Sequence, residues 1–339
     1  QLPSLPAALT AAPEAHPGDT GLTAPRATCA LVSDHLDVGG IGSVVESMGL
    51  GLPAAGIRPV VICRGDGDRA RRLAARGVEV IPTATRADAQ AALDRVRPDV
   101  IELHNVVPDY LEDAVVASDV PLVTVMHNTE IHFTPARWRS VARLIARSEA
   151  GIAVSNTVRD FHVSHLPDEL ADRIVVVGNA APAPHHPSEQ DRRDARAALE
   201  GVLGLQLADQ VVFACLARYD SQKNIAGMVW SFLEATRTTG AAAHLVVAGA
   251  PSDRAELLRA DGLRRSHANS GRVHLLGNSD GVTLLAASDA FLLDSFFEGW
   301  PVAATEAASM GLPLLLSDVG GAGGLVARDA GRSILVGDP

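Results

Sequence analysis

Two glutamates, Glu298 and Glu306, stand eight residues apart in the segment that carries the strongest chemical signal of this chain. The segment, AFLLDSFFEGWPVAATEAASMGLPLLLSD over residues 290–318, predicts a buried strand, a turn, a helix and a second buried strand. Pro301 suits the first helical turn, and Gly311 suits the helix end. Ionised carboxylates only accept hydrogen bonds, so they suit hydroxyl groups, such as those of sugars, better than phosphates.

The two glutamates are predicted to lie at different depths of this unit. Glu298 falls in the loop at the carboxyl end of a strand, and Glu306 about two turns into the following helix. In open α/β sheets ligands bind at that edge. The amides at the helix start favour an anion such as a diphosphate. Gly299, Trp300, Pro301 and Val302 are therefore candidate donor-binding residues, of which Pro301 has no N–H to donate.

Two cations follow the first strand of the second half of the chain. Arg218 and Lys223 stand five residues apart in the stretch LARYDSQKN. On a strand-end loop they can converge on a diphosphate, arginine as a bidentate donor and lysine as a point charge. There they would neutralise the charge that grows on a leaving nucleoside diphosphate.

The first half of the chain offers a glycine-containing loop and two histidines at strand ends. The loop Asp37–Gly42 allows close approach of the backbone to a phosphate, but it lacks the G-x-G-x-x-G spacing of a dinucleotide site. The second strand ends on Cys63-Arg64-Gly65 with no clean acidic partner for a ribose, so an NAD enzyme is disfavoured. His127 follows the strand PLVTVM and His104 follows DVIELH.

Composition and length narrow the class of protein. The 339 residues suggest two domains, and the net charge of −11 argues against nonspecific nucleic-acid binding. No apolar run reaches the roughly 18 residues that span a bilayer, and no signal peptide is visible. The three cysteines read as small buried hydrophobes and cannot build a zinc site. We therefore expect a cytoplasmic protein, with peripheral contact to the inner membrane face left open.

Alternating strands and helices predict two parallel, doubly wound sheets. We expect a Pro/Ala-rich arm or linker over residues 1–26 and an N-terminal doubly wound domain over 27–180. A linker region over 181–205 and a C-terminal doubly wound domain over 206–339 complete the chain. Adjacent doubly wound domains also occur in dehydrogenases and periplasmic binders, so this organisation alone does not decide the function.

The strand–EG–x–P–helix–EA–small–x–G–x–P–strand pattern resembles the donor site of retaining GT-B glycosyltransferases of family 4 (glycosyltransferase group 1). The resemblance implies an α/β GT-B fold, in which two Rossmann-like doubly wound domains face each other across a cleft. In such a fold residues 27–180 would form the acceptor-side domain and residues 206–339 the nucleotide-sugar-binding domain. It implies four catalytic residues, namely His127, Glu298, Arg218 and Lys223. It also implies donor contacts by Gly39, Gly40, Gly42, Gly277, Asn278, Gly299, Trp300, Pro301, Val302 and Glu306.

Within this pattern Gly277 and Asn278 would lie beside the nucleobase, Glu306 would bind the ribose and Glu298 the donor sugar. Ala217 replaces the usual glycine before the arginine, and Asn128 replaces the aspartate that usually follows the histidine. Relatives carry a glutamate a few residues after Gly320-Gly321, where this chain reads AGGL. They also continue with helices, the last of which crosses back to the first domain, so we expect that part of the fold is either absent from the sequence given or supplied differently.

The sequence therefore predicts a retaining glycosyltransferase that moves a sugar from a nucleoside diphosphate sugar to an acceptor hydroxyl. Since cations and a helix start handle the leaving charge, no metal and no cofactor are expected. The partners expected are the donor and a small-molecule, glycan or lipid-linked acceptor, with no nucleic acid and no transmembrane segment. A GT-B epimerase or phosphorylase, or a non-catalytic sugar-nucleotide-binding partner protein, remains the alternative.

Overall fold

The structure, a computed structural model, describes residues 2–9, 25–37, 39–104, 107–180, 186–329 and 332–337. Contacts divide the chain into two compact units. The N-terminal unit is Pro13–Pro182, and the C-terminal unit combines Gln1–Ala12 with Ala183–Pro339. Each unit is built on one parallel sheet, as the alternation of strands and helices predicted. Among the described helices, none is both long and apolar enough to cross a membrane.

The N-terminal unit contains a seven-stranded sheet in the order β3-β2-β1-β4-β5-β6-β7. Its strands are Ala27–Ser33 (β1), Ile57–Arg64 (β2), Glu79–Thr83 (β3), Val100–His104 (β4), Leu122–Met126 (β5), Ala150–Ala153 (β6) and Ile174–Val176 (β7). The connecting helices are Gly39–Gly51 (α1), Asp68–Ala75 (α2), Arg86–Val96 (α3), Asp109–Ala117 (α4), Pro135–Arg147 (α5) and Asn156–Val163 (α6).

Helices cover both faces of this sheet, which explains why its strands read as continuous apolar runs. Along β1, Ala30 and Val32 join the core cluster beneath α3 and α4. Cys29 and Leu31 point the other way, into the cluster with α1 and α2. Burial raises the pKa of Cys29, Cys63 and Cys215 to about 12 in each case, so these thiols serve as packing groups.

The C-terminal unit contains a six-stranded sheet in the order β10-β9-β8-β11-β12-β13. Its strands are Val211–Leu216 (β8), Ala243–Ala248 (β9), Val273–Leu276 (β10), Ala290–Leu293 (β11), Leu314–Ser317 (β12) and Ile334–Val336 (β13). Its helices are Glu189–Leu203 (α7), Ile225–Thr239 (α8), Arg254–Ser266 (α9), Gly281–Ala286 (α10), Val302–Ser309 (α11) and Ala322–Val326 (α12). Every residue of β9 is buried, as expected for a central strand of a covered parallel sheet.

Helix α7 occupies most of the stretch 181–205 that the sequence assigned to a linker. It begins with a capping box, in which the Ser188 hydroxyl accepts from the amide of Asp191 and the Asp191 carboxylate accepts from the amide of Ser188. It ends at Gly204, which has a φ of 67°. Ala195 and Leu199 are buried, so the charged run in this stretch is the solvent face of an amphipathic helix.

The glycine loop after β1 is shorter than predicted, because α1 already begins at Gly39. Gly39, Gly40 and Gly42 therefore lie in the first turn of α1, and Val38 lies outside the described residues. Gly42 is required by packing, since a Cβ there would lie 1.8 Å from the carbonyl oxygen of Leu36. The absence of a side chain at Gly42 therefore allows the preceding loop to lie close against α1.

The predicted arm over residues 1–26 is only partly described, and residues 10–24 lie outside the described set. Residues 2–9 do not stand apart from the globular units. They pack against the C-terminal unit, where the amide of Gly277 donates to the carbonyl of Pro3 at 2.7 Å. The side chain of Leu5 is 1% exposed.

Candidate active site

The topological switch point of the C-terminal sheet lies between β8 and β11. Chain order runs outward from β8 to β10 on one side and from β11 to β13 on the other, so the loops after β8 and β11 meet at one edge. Two hydrogen bonds join these loops: the amide of Phe296 donates to the carbonyl of Gln222, and the Gln222 side chain donates to the carbonyl of Phe297, both at 2.9 Å. This is the position at which open α/β sheets bind ligands.

Lys223 and Glu298 form an ion pair across these two loops. The lysine ammonium donates to Oε1 of Glu298, which also accepts from the Ser295 hydroxyl at 2.7 Å. The lysine side chain is 16% exposed and the glutamate side chain 7%. The structure therefore brings together two residues that the sequence placed on different parts of the donor, and it adds Ser295 to them. An ion pair this secluded needs both partners, because either charge alone would be poorly solvated.

Arg218 lies near the start of the loop that carries Lys223, two residues after the end of β8. Its guanidinium pairs with the Asp220 carboxylate at 3.0 Å, and its side chain remains 35% exposed. Asp220 also caps the short 3₁₀ turn Ser221–Lys223 by accepting from the amide of Lys223 at 3.2 Å. Asp220 thus orients both cationic residues. This role was not predicted from the sequence, although aspartate is a preferred N-cap residue.

The loop that carries Lys223 is fixed further by Asn224. This residue adopts a left-handed conformation with a φ of 46°, and its side-chain amide donates to the Asp294 carboxylate at 3.0 Å. Burial raises the pKa of Asp294. Asn224 and Asp294 tie the ends of the two loops together and were not anticipated from the sequence.

The turn from β11 into α11 holds Glu298 close to the helix start. Pro301 is the N-cap residue, and α11 begins with no side-chain cap and no acidic residue in its first turn. Its first amides are therefore available to an anion. Because the helix begins at Val302, half-buried Glu306 lies little more than one turn into it rather than two.

Two glycines after β12 allow the chain to pack closely against the turn between β11 and α11. A Cβ on Gly320 would lie 2.2 Å from the carbonyl oxygen of Glu298, and one on Gly321 would lie 2.3 Å from the indole of Trp300. The amide of Gly321 donates to the carbonyl of Gly299 at 3.0 Å. The pair Gly320-Gly321 therefore positions the Glu298–Trp300 backbone, and no larger residue fits without displacing it.

In the N-terminal unit, β4 and β5 are neighbours, and the histidine that ends β4 meets the histidine that follows β5. Nδ1 of His104 lies 3.0 Å from Nε2 of His127, with the rings stacked at 5.3 Å between centroids. Burial lowers the pKa of His127 to about 4, and burial together with His127 lowers that of His104 well below its usual range. Both imidazoles are therefore neutral at pH 7, and His127 can act there only as a neutral hydrogen-bonding group.

Glu102 stands behind this histidine pair. Its Oε1 lies 3.6 Å from Nε2 of His104, a buried nitrogen with no hydrogen-bond partner among the described residues. Burial raises the pKa of Glu102 to about 7. The sequence analysis treated His104 and His127 separately. Their shared position at the ends of successive strands was the signal that could have predicted their contact.

Gly277 and Asn278 follow β10 at the same edge of the C-terminal sheet as the ion pair. Tyr219, fully buried, donates its hydroxyl hydrogen towards the carbonyls of Val247 and Leu276 at 3.1 and 2.7 Å. It thereby connects the loop of Arg218 to the end of β10. Within the described part of the chain, no group of three His, Cys, Asp or Glu side chains is arranged to hold a metal ion.

Two family models match the chain on either side of its domain boundary. Glycosyltransferase Family 4 matches residues 38–182, and Glycosyl transferases group 1 matches residues 205–337. Among curated proteins, none matches this sequence.

Solved structures share the fold over most of their length. HepE from Anabaena, in complex with UDP-glucose, has a TM-score of 0.75 at 17% identity, covering 92% of this chain and 85% of that one. Sucrose-phosphate synthase from Thermosynechococcus elongatus has a TM-score of 0.70 at 16% identity, over 92% and 86% of the two chains. Starch synthase IV from Arabidopsis thaliana, bound to ADP and acarbose, has a TM-score of 0.69 at 15% identity, over 88% and 84%.

These likenesses confirm the predicted GT-B fold, while the family matches identify the enzyme class. The two family models together span most of the chain. The chain belongs to the glycosyltransferases of family 4 and group 1.

Proposed function

We propose that this glycosyltransferase moves a sugar from a nucleoside diphosphate sugar to an acceptor hydroxyl, with retention of configuration and without a divalent metal. The observation that carries the proposal is the ion pair of Lys223 and Glu298 just before the uncapped start of α11, with Arg218 paired to Asp220 on the loop that carries Lys223. Cations and amides there suit a diphosphate, and a buried carboxylate suits sugar hydroxyls. The neighbour HepE, crystallised with UDP-glucose, supports a nucleotide sugar as the donor.

In the proposed donor complex the diphosphate lies between Arg218, Lys223 and the first amides of α11. Among the described contacts, both donors to Glu298 reach Oε1, which leaves Oε2 for a hydroxyl of the donor sugar. Glu306, on the same helix, accepts from the ribose hydroxyls.

The proposed reaction exchanges one bond for another at the anomeric carbon. The bond from that carbon to the β-phosphate oxygen breaks, and the acceptor oxygen bonds to the same face of the sugar. The acceptor's proton passes to the departing phosphate oxygen. Developing negative charge on the diphosphate is stabilised by the two cations and the helix amides, and removing one such donor typically costs roughly 100- to 1000-fold in rate.

The first test identifies the donor. A thermal-shift panel of UDP-, GDP-, ADP- and TDP-sugars should raise the unfolding temperature for one base, because a ligand that binds the folded state stabilises it. Acceptor screening with that donor and NMR assignment of the product anomer then test transfer and retention. An inverted product would refute retention, and sugar-nucleotide isomerisation without acceptor would indicate an epimerase.

The second test concerns the metal. With charge carried by Arg218, Lys223 and backbone amides, EDTA should leave the transfer rate largely unchanged. Loss of rate that Mg²⁺ or Mn²⁺ restores would refute metal independence.

The third test addresses Glu298. Replacement by Gln keeps the size and removes the charge that orients the reacting sugar, so kcat should fall by on the order of 100-fold. A change confined to donor KM would remove Glu298 from the reacting end of the donor.

A further inference from the structure

Residues 2–9 lie along the Gly277–Asp280 loop and the first turn of α10. The carbonyl of Pro3 accepts from the amide of Gly277 at 2.7 Å, and the carbonyl of Leu5 accepts from the amide of Asp280 at 2.9 Å. The amide of Leu5 donates to the Ser279 hydroxyl at 3.0 Å. One turn further, the amide of Ala8 donates to the Thr283 hydroxyl at 3.0 Å. We call residues 2–9 the docking segment.

One side chain anchors the docking segment. Leu5 is 1% exposed, whereas Pro3, Ser4, Pro6, Ala7 and Ala8 are all exposed. One fully buried leucine, the half-buried Leu2 and Leu9, and four hydrogen bonds form a contact small enough to open locally while the unit stays folded. Prolines at two of the positions favour an extended chain, which reduces the entropy lost on docking.

The docked segment occupies backbone donors at the ligand-binding edge of the sheet. The loop follows β10, whose carboxyl end lies at the same edge as those of β8 and β11. A nucleobase held by backbone groups of this loop would need amides such as those of Gly277 and Asp280. Both amides already donate to the docking segment. The segment also crowds Gly277, since a Cβ there would lie 3.2 Å from the Ser4 hydroxyl.

We propose that the Gly277–Thr283 surface is a docking site for residues 2–9 of this chain, and that the docked segment competes there with the nucleobase of the donor. This inference rests on the proposed function for its ligand, a nucleoside diphosphate, but not for the docking itself. Release of the segment exposes the loop amides and permits donor binding. The segment thereby sets the fraction of enzyme that is competent to bind.

The experiment compares the full chain with a variant that lacks residues 1–9. UDP, GDP and ADP are titrated into each protein by calorimetry. If the segment is docked in nine molecules of ten, its removal should tighten binding of the matching nucleoside diphosphate about tenfold, because apparent affinity scales with the competent fraction. A synthetic peptide of residues 2–9, LPSLPAAL, added to the shortened variant should weaken nucleotide binding competitively.

Point variants in the full chain keep the test independent of the deletion. Leu5→Asp places a charge at the buried anchor and should tighten nucleotide binding as the deletion does. Ala7→Asp adds the same charge at an exposed position of the segment and should bind like the parent chain. Unchanged or weaker binding in both Leu5→Asp and the deletion would overturn the competition and make the segment a support of the loop.

A fluorescent version of the peptide separates the two proposals. Its anisotropy should rise on mixing with the shortened variant and fall when the matching nucleoside diphosphate is added. If none of the three nucleotides binds either protein, the proposed donor chemistry fails. Peptide binding then still decides whether the surface is a docking site, and absence of peptide binding would overturn the docking site whatever the nucleotides do.

Discussion

The ion pair between Lys223 and Glu298 yields the sharpest prediction for stability. Both side chains are secluded, at 16% and 7% exposure, and they connect two loops that meet at the switch point. We expect Lys223→Met to destabilise the C-terminal unit strongly, Glu298→Gln to do so less, and the double variant to lose less than the sum of the two. The reason is that each single change leaves a charge or a polar group without its partner.

The magnitudes follow from the remaining partners. Leaving one charge of a buried pair unpaired costs roughly 3–5 kcal/mol. Glu298 retains the Ser295 hydroxyl, so Lys223→Met belongs near the lower end, about 3 kcal/mol. Lys223 is the more exposed partner and can turn its ammonium to water, so Glu298→Gln should cost about 1–2 kcal/mol. The coupling free energy should then be about 2–3 kcal/mol.

The assay is a double-mutant cycle on the free energy of unfolding, measured by urea titration, with calorimetry to locate the transition of each unit. For a unit of this size Lys223→Met should lower the transition temperature by about 6–12 °C. The matched control is the ion pair of Arg193 and Glu189 on α7, whose side chains are 62% and 93% exposed. Its coupling should be about 0.5 kcal/mol or less.

A Lys223–Glu298 coupling as small as that of the control, with unchanged transition temperatures, would refute the reasoning. It would mean that the two charges are individually well solvated in the folded protein, despite their seclusion.

Three further predictions address other parts of the molecule. Burial raises the pKa of Glu102 in the folded protein to about 7, against 4.5 in the unfolded chain, so between these pH values the folded state holds an extra proton. The free energy of unfolding should therefore fall as pH rises through that window. In urea titrations Glu102→Gln should exceed the parent by up to about 3 kcal/mol at pH 8 and match it near pH 4.5. Gly320→Ala, strained at a φ of 57° and 2.2 Å from a carbonyl, should cost roughly 1–3 kcal/mol in the same titrations, whereas Gly324→Ala, in open space, should not destabilise. Under the proposed function, in which Glu306 binds the unreacting ribose equally in ground and transition states, Glu306→Gln should raise donor KM in steady-state kinetics with little change in kcat. Equal stability of Glu102→Gln and parent at pH 8, tolerance of Gly320→Ala, or a purely kcat effect of Glu306→Gln would each contradict the corresponding reasoning.

The features that the sequence predicted best are those fixed by local pattern and by parallel topology. Short apolar runs such as AHLVVA became β9, buried at every residue, because a sheet covered on both faces needs no polar side. The strand-end positions of Arg218, Lys223 and Glu298 followed from the same pattern. Since the carboxyl ends of parallel strands share one edge, the loops that carry these residues lie at the switch point, where Lys223 and Glu298 form an ion pair.

Two kinds of feature could not be predicted from the sequence. They are contacts between residues that are distant along the chain, and the positions of segments that have no hydrophobic periodicity. Lys223 and Glu298 are 75 residues apart, and two opposite charges on separate loops can equally serve two different ligand groups. The docking segment has no hydrophobic periodicity from which a packing partner could be predicted. Helix α7 was missed because its charged face dominated the composition, although the capping box at Ser188 and Asp191 marked its start.

The Lys223–Glu298 pair also makes a prediction about ligand binding that separates the two halves of the donor. Under the proposed function, Lys223 exchanges Glu298 for the diphosphate, and Glu298 exchanges Lys223 for sugar hydroxyls, so that neither side chain is left buried without a partner. A nucleoside diphosphate without its sugar satisfies only the lysine and brings negative charge towards the carboxylate.

Glu298→Gln should therefore bind the free nucleoside diphosphate about 3- to 10-fold more tightly than the parent, because the ammonium is released and a like charge is removed. It should bind the nucleotide sugar no more tightly, since the sugar loses its charged acceptor. Calorimetry with both ligands on parent and variant tests this, with Glu189→Gln on the surface of α7 as the control for loss of a carboxylate. Tighter binding of both ligands by equal factors would place Glu298 away from the sugar, and weaker binding of the free nucleotide would show that Glu298 holds Lys223 in the orientation that receives the diphosphate.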